Sequence, residues 1–162
     1  MLIYNTNKSI FEIPTRSFEA VCVTTNGIVK NNGDAVMGAG IAKECANLFP
    51  DIPRKLGNAL TAGGNRVYDL GLVFRHNREF RLYSFPTKSH WKEDSDINLI
   101  RKSCVELSME CSRSGIMKCY LPKPGCNNGH LDWESVVKPV ISEILDDRFV
   151  VIDRESYKRI RR

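Results

Sequence analysis

The sequence predicts a single-domain mixed α/β sandwich built on a mainly parallel sheet. Short apolar, β-branched runs alternate with helical patterns of about ten residues or more, as in strands joined by helical crossovers. The chain has 162 residues, 42% of them hydrophobic and 27% charged, which is ordinary for one globular domain. It shows no repeat, low-complexity stretch or linker. We therefore expect one domain over residues 1–153 and a basic C-terminal tail over residues 154–162.

The first half of the chain predicts three strands and two helices. Residues 18–25 form an apolar, β-branched run that is typical of a buried strand. Pro50 ends the first helix, and Pro53 is acceptable in the first turn of the second. The polar stretch 75–78 indicates the turn of a hairpin. The elements are a strand at 18–25, helices at 41–49 and 51–60, and strands at 67–74 and 79–85.

The second half predicts two helices, each followed by a strand. Apolar residues recur at steps of three and four in the longest helix, for which Asp94 or Ser95 is a candidate N-cap and Gly115 a terminator. The last helix has an apolar face of valines and isoleucines, and Pro139 should bend it or disrupt its first turns. These elements are a helix at 95–114, a strand at 116–121, a helix at 133–145 and a strand at 148–152.

Positive charge is concentrated at the C-terminus. The net charge is +5, and residues 153–162 hold five basic and two acidic residues. Such a basic run contacts phosphates, for example of a nucleic acid, in some proteins and is a solvated chain end in others. No apolar stretch approaches the length of a transmembrane helix, and no basic region followed by an apolar one opens the chain. We expect a cytoplasmic monomer without a membrane partner.

The six cysteines indicate a reducing environment. They contain no Cys-x-x-Cys pair, and the three histidines do not fall at zinc-finger spacings. An even count permits three disulfides, but apolar contexts such as that of Cys22 favour reduced, buried thiols. No cluster of metal ligands is visible in the sequence, and we expect no cofactor.

Two glycine-rich stretches are the candidate ligand-binding loops. Residues 24–40 and 122–130 together hold six of the eleven glycines, and each stretch follows a predicted strand and precedes a predicted helix. In an open α/β sheet this places both at the carboxyl ends of strands, where ligands bind. Backbone N–H groups at helix starts suit phosphates, although glycines also serve as plain turn formers. Neither stretch is a P-loop or a dinucleotide fingerprint.

These stretches resemble the ligand loops of macro domains. The similarity rests on Val23-Thr24-Thr25-Asn26-Gly27, on Met37-Gly38-Ala39-Gly40-Ile41-Ala42 and on Leu121-Pro122-Lys123-Pro124-Gly125-Cys126. It extends to Phe85-Pro86-Thr87-Lys88-Ser89-His90-Trp91 and to Gly129-His130-Leu131-Asp132-Trp133, and covers residues 20–153. The resemblance implies a three-layer α/β/α sandwich that binds ADP-ribose. The branch that the sequence resembles is that of the DarG-type DNA ADP-ribosyl glycohydrolases.

The resemblance also implies site residues. Asn26 and Lys88 match catalytic positions, with Asn26 at the distal ribose and Lys88 as the reactive lysine. In the terminal-ADP-ribose glycohydrolase branch an aspartate of the second loop assists this lysine, and the matching position here is Gly129. The implied ligand-binding residues are Thr25, Gly27, Met37, Gly38, Ala39, Gly40, Ile41, Pro124, Gly125, Cys126, Asn127, Asn128, Gly129 and His130.

Plainer interpretations exist for several of these residues. Lys88 also fits a solvated surface lysine, and His130 fits a turn residue without chemistry. Trp133 fits a core anchor, and Asp132 fits an N-cap.

The expected function is an ADP-ribosyl hydrolase that removes ADP-ribose from DNA or protein. Lys88 would attack as a neutral amine that Phe85, Pro86 and Trp91 desolvate. The alternatives are an ADP-ribose 1″-phosphate phosphatase and a non-catalytic ADP-ribose reader.

Overall fold

A computed structural model describes residues 1–154 of the chain. Residues 155–162 lie outside this range, and with them all of the predicted basic tail except Arg154. Within residues 1–154 the structure has six strands, four α-helices, a 3₁₀ turn and a π-helical turn. In chain order these are β1 (Leu2–Thr6), the 3₁₀ turn (Ile10–Glu12), β2 (Glu19–Thr25), α1 (Gly40–Leu48), α2 (Ile52–Gly63), β3 (Asp69–Arg75), β4 (Arg78–Pro86), α3 (Ile97–Arg113), β5 (Lys118–Pro122), the π-helical turn (Trp133–Val137), α4 (Lys138–Ile144) and β6 (Phe149–Arg154).

The six strands form one sheet in the order β1-β6-β5-β2-β4-β3. Five of them are parallel, and only the edge strand β3 runs antiparallel to its neighbour β4. Side chains of β2 alternate between the two faces of the sheet. Val21 and Val23 pack on the face that α1 and α2 cover, whereas Ala20 and Cys22 pack on the face that α3 and α4 cover. The predicted three-layer α/β/α sandwich with a mainly parallel sheet is therefore confirmed.

Each predicted strand and helix is present, and its ends differ from the prediction by a few residues. The hairpin prediction is also confirmed, because β3 and β4 are joined by a two-residue turn of His76 and Asn77. Both residues have positive φ, at 50° and 61°. These values fit a tight hairpin turn whose twist matches that of the flanking strands.

Two local expectations, both about the start of α3, need correction. Asp96, and not Asp94 or Ser95, caps α3 by accepting a hydrogen bond from the Asn98 N–H at 2.9 Å. The helix begins later than predicted because the Ser95 N–H donates to the Gly129 carbonyl at 3.0 Å, outside the helix. The helix predicted at 133–145 is divided into a π-helical turn and α4, with Pro139 in the first turn of α4, so the expected disruption of its first turns is confirmed. Strand β1 was not predicted.

All six cysteines lie within residues 1–154, and none forms a disulfide. Five are buried, and the sixth, Cys126, is half-buried. The Sγ atoms of Cys22 and Cys119 lie 3.4 Å apart, too far for a covalent bond. Burial raises the pKa of both thiols, which keeps them in the protonated form that an apolar core favours. The predicted burial is confirmed for five of the six cysteines.

Within residues 1–154, no helix combines the length and the apolar character that crossing a bilayer requires.

Candidate ligand-binding site

A cavity of about 550 Å³ opens at the carboxyl ends of three adjacent parallel strands, β4, β2 and β5. Its walls come from the loop after β2 (residues 26–39, the first loop), the loop after β5 (residues 123–132, the second loop) and the loop after β4 (residues 87–96, the third loop), together with the start of α1. Because the strands are parallel neighbours, their carboxyl ends bring these loops together.

Asn26 braces the first loop. Its side-chain Nδ2 donates to the Val36 carbonyl at 3.2 Å, and its Oδ1 accepts from the Ile28 N–H at 3.0 Å. A carboxamide carries two N–H donors, so one remains for a ligand. Asn26 also lines the cavity. Its geometry combines support of the loop with one donor at the cavity wall.

The first loop rests closely on helix α2. The Ala35 N–H donates to the Pro53 carbonyl at 2.8 Å, and the Arg54 guanidinium pairs with Asp34 at 2.7 Å. Gly57 makes the close approach possible, because a Cβ atom at this position would collide with the Gly33 carbonyl oxygen. A buried glycine in α2 thus sets the position of one wall of the cavity.

The second loop presents its backbone to the opposite side of the cavity. The Leu131 N–H donates to the Gly125 carbonyl at 2.9 Å and closes the loop at its base. Asn127 and Asn128 are exposed at its tip. Cys126 lines the cavity half-buried, and burial raises the pKa of its thiol to about 11. This thiol is therefore protonated near neutral pH and is not a nucleophile there.

The third loop carries Lys88 into the cavity between the other two loops. Its Nζ lies 3.4 Å from the Asn128 carbonyl oxygen, and its own carbonyl accepts from Asn65 Nδ2 at 3.1 Å. Phe85 and Pro86 are buried, but Trp91 is 49% exposed, so the three expected apolar neighbours enclose Lys88 only in part. No carboxylate of the described residues lies within ion-pair distance of its ammonium.

A surface pair joins the second and third loops. His130, with a positive φ of 63°, places its Nδ1 2.8 Å from an Asp94 carboxylate oxygen. Asp132 caps the turn that follows, accepting from the Ser135 N–H at 2.8 Å, and Trp133 is buried in the core. The plainer interpretations of Asp132 as an N-cap and Trp133 as a core anchor are therefore confirmed.

Most of the predicted site residues line the cavity, and four do not. Met37 and Pro124 are buried beneath the loops, Gly27 donates its N–H to the Ser89 carbonyl at 3.0 Å, and His130 faces the surface. The predicted residues that line the cavity are Thr25, Asn26, Gly38, Ala39, Gly40, Ile41, Lys88, Gly125, Cys126, Asn127, Asn128 and Gly129.

Eight further lining residues were not predicted. Most of them lie in the glycine-rich loops or in the other stretches that resemble macro domains, so their position in these stretches already pointed to the site. Ser95 had no such signal, since its position depends on the later start of α3. The eight are Thr24, Val36, Ala42, Thr87, Trp91, Ser95, Pro122 and Lys123.

The electrostatics of the cavity favour an anion. Two lysines and no carboxylate occur among the lining residues of the described chain. Lys123 is paired with Asp153 at 3.1 Å and lies over the Trp133 ring, which leaves Lys88 as the lining cation without an acidic partner in residues 1–154. No group of three or more His, Cys, Asp or Glu side chains in this range is arranged to hold a metal ion.

Several known proteins are similar to this chain in sequence and in fold. No protein-family model matches the chain. A DNA ADP-ribosyl glycohydrolase of Mycobacterium tuberculosis is 30% identical over 112 residues, which cover 66% of this chain and 31% of that protein. The chain thus spans about a third of the length of this curated relative.

Two solved structures extend the likeness to the whole fold. The macrodomain of Thermus aquaticus DarG is 26% identical with a TM-score of 0.71, covering 93% of this chain and 97% of that one. Thermosipho africanus DarTG in complex with ADP-ribose is 22% identical with a TM-score of 0.74, covering 96% of this chain and 42% of that one. With its three-layer fold and the loops described above, the chain is a macro domain of the DarG type.

Proposed function

We propose that this macro domain binds ADP-ribose and releases it from a modified macromolecule by hydrolysis through Lys88. The observation that carries the proposal is the cavity itself, in which two glycine loops and an unpaired lysine converge without a carboxylate among the described lining residues. The relatives named DNA ADP-ribosyl glycohydrolases support the reaction, and a structure of this fold solved with ADP-ribose supports the ligand.

A diphosphate fits the chemistry of the cavity. Backbone N–H groups at the start of α1 and in the second loop are donors for phosphate oxygens. A nearby carboxylate would repel such a ligand, and the described lining residues contain none. The volume of about 550 Å³ lies within the range of ordinary small-molecule sites.

Lys88 is the only lining side chain that we propose as nucleophile. Its unprotonated amine forms a bond to the anomeric carbon of the distal ribose, while the bond from that carbon to the acceptor breaks and the acceptor takes the proton that the amine loses. Water then bonds to the same carbon through its oxygen while the bond to Nζ breaks. The proton that the water loses returns to Nζ, which restores the lysine as ADP-ribose leaves. The described lining residues include no Asp or Glu, so a pair of carboxylates that acts as general acid and base is not available among them.

The mouth of the cavity favours an aromatic acceptor. Trp91 lines the cavity with half of its surface exposed, and the His90 ring stacks near it with centroids 5.3 Å apart. Lys92 places its ammonium 5.0 Å from the centre of the indole ring. Indole faces stack on nucleobases, and lysines attract backbone phosphates. We therefore propose a DNA base as the acceptor, in keeping with the names of the relatives.

A substrate panel tests the function. The purified chain is incubated with ADP-ribosylated DNA, with protein ADP-ribosylated on carboxylates and with ADP-ribose 1″-phosphate, and free ADP-ribose is measured. We expect release from DNA. Release from protein alone would contradict the proposed acceptor, and phosphate release from the small metabolite alone would identify a phosphatase. Tight ADP-ribose binding without any turnover would identify a reader.

ADP-ribose is expected to bind in the micromolar range, about −8 kcal/mol. AMP should bind at least about tenfold more weakly, because it lacks the second phosphate and the distal ribose that the second loop and Lys88 contact in this proposal. Isothermal titration calorimetry measures both. If folded protein gives no binding signal with ADP-ribose, the proposed function is wrong.

Cys126 provides a chemical reporter of the occupied cavity. Because burial raises the pKa of its thiol to about 11, alkylation by iodoacetamide should be slow at pH 8 and rise about tenfold per pH unit up to pH 10. Bound ADP-ribose should block the reaction. The other five cysteines, which are buried, should react only after unfolding. Mass spectrometry of alkylated peptides measures each site, and equal alkylation of Cys126 with and without ADP-ribose would contradict its placement at the ligand.

A further inference from the structure

The side chain of Ser95 has a polar group with no partner. The residue is 8% exposed, and its hydroxyl is shielded from solvent without a hydrogen bond. In the described chain, two other side chains contain such an atom, Asn65 and Arg81, and neither lines the cavity. A buried hydroxyl without a partner costs about 1 to 3 kcal/mol, so its retention at the cavity wall calls for a reason.

The Ser95 hydroxyl makes no hydrogen bond to any described protein group. Ser95 lies against Gly125 together with the apolar ends of Ile100 and Leu131. A Cβ atom at residue 129 would collide with Ser95 Oγ and with the Gly125 carbonyl oxygen, so only glycine fits at that position. The Ser95 N–H donates to the Gly129 carbonyl at 3.0 Å, which fixes the backbone of Ser95 beside the second loop.

Ser95 lies close to the Lys88 end of the second loop. Lys88 Nζ approaches the carbonyl of Asn128, the residue next to Gly129 in the chain. Lys88 Nζ and Ser95 Oγ therefore approach consecutive residues of the second loop, Asn128 and Gly129. The tip of the loop is exposed, and its internal N–H to carbonyl distances at Cys126 and His130 are long, at 3.4 Å each. Gly129 has no side chain to resist a small outward shift.

We propose that Ser95 is a ligand-binding residue whose hydroxyl, unpaired beneath Gly129 in the free protein, donates a hydrogen bond to a phosphate oxygen of bound ADP-ribose when the second loop shifts. This inference rests on the proposed function and adds a residue to it. It also gives glycine at position 129 a role, because a larger residue would take the place of the serine hydroxyl.

The test compares Ser95→Ala with Ser103→Ala. Ser103 is a matched control because its buried hydroxyl already has a partner, the Pro86 carbonyl at 2.7 Å. Calorimetry measures ADP-ribose affinity, and thermal unfolding without ligand measures stability. We expect Ser95→Ala to weaken ADP-ribose binding about tenfold, equal to 1.4 kcal/mol, without lowering Tm. Ser103→Ala should lower Tm and leave the affinity unchanged. Ser95→Gly should repeat the loss of affinity.

Inorganic pyrophosphate isolates the phosphate contact. It should compete with ADP-ribose for the parent protein and compete about tenfold less well for Ser95→Ala. ADP-ribose affinity of Ser95→Ala within twofold of the parent value would overturn the role of Ser95 while leaving the proposed function intact. Failure of the parent chain to bind ADP-ribose would overturn the proposed function, and this inference with it.

Discussion

Replacing Lys88 with alanine is expected to abolish the release of ADP-ribose while keeping ADP-ribose affinity within about tenfold of the parent value, or 1.4 kcal/mol. The amine is the nucleophile in the proposed mechanism, and no carboxylate among the described lining residues can replace it. The loops that cradle the ligand depend little on this side chain, since its hydrogen bond to the Asn128 carbonyl is long, at 3.4 Å. Single-turnover release from ADP-ribosylated DNA measures the effect.

Lys92→Ala is the matched control for this loss. Lys92 is exposed beside the cavity and lies over the Trp91 ring, so its removal changes the charge of the third loop by the same amount. We expect Lys92→Ala to release ADP-ribose at an unchanged maximal rate. The DNA concentration that gives half of this rate should rise only modestly. Release by Lys88→Ala at the parental rate would contradict the covalent mechanism and direct attention to the free donor of Asn26.

Replacing Gly57 with alanine is expected to destabilise the protein, contrary to the usual effect of this change in a helix. Alanine normally favours a helix over glycine by about 1 kcal/mol. At Gly57 the new Cβ atom collides with the Gly33 carbonyl and lies 3.0 Å from the Ala35 nitrogen. Overpacking of this kind costs about 1 to 3 kcal/mol. After the helix preference for alanine is subtracted, the net loss is up to about 2 kcal/mol, so we expect Tm to fall by up to about 8 °C. ADP-ribose affinity should fall as well, because the first loop must move.

Gly38→Ala serves as the control for Gly57→Ala. It introduces the same methyl group into the first loop, at a position where the added Cβ atom has no neighbour within 4 Å. Thermal unfolding of Gly38→Ala should match the parent protein. If Gly57→Ala were as stable as the parent or more stable, the close packing of the first loop on α2 would not determine the position of that loop.

The core elements were predictable because each has a local pattern. The run at β2 and the spacing of apolar residues in α3 report burial directly, and the polar stretch before β4 indicated the hairpin. Strand β1 has no such pattern. Its five residues are exposed or partly exposed at the sheet edge, and its pairing with β6 joins residues from opposite ends of the sequence. The sequence near β1 contains no pattern that indicates its pairing with such a distant strand.

The site divides in the same way. Glycine-rich loops after strands indicated the two walls of the cavity, and the resemblance to macro domains contributed Lys88. Ser95 was one of two candidate helix caps, with Asp94, because a serine ahead of a periodic stretch is typical of a cap. The start of α3 is set instead by hydrogen bonds from Ser95 and Asp96 to the Gly129 and Thr87 carbonyls. Contacts between loops that are distant in the chain cannot be predicted from the spacing of residues.

The place of β6 in the sheet constrains the order in which this domain is completed during synthesis. β6 is the last strand of the described chain, and it lies between β1 and β5. Within the described residues β1 pairs only with β6, so this pairing cannot form until β6 has left the ribosome. The strands that carry the ligand loops, β2, β4 and β5, are neighbours and can associate earlier. The framework of the cavity can therefore form on a nascent chain whose sheet is still open at one side.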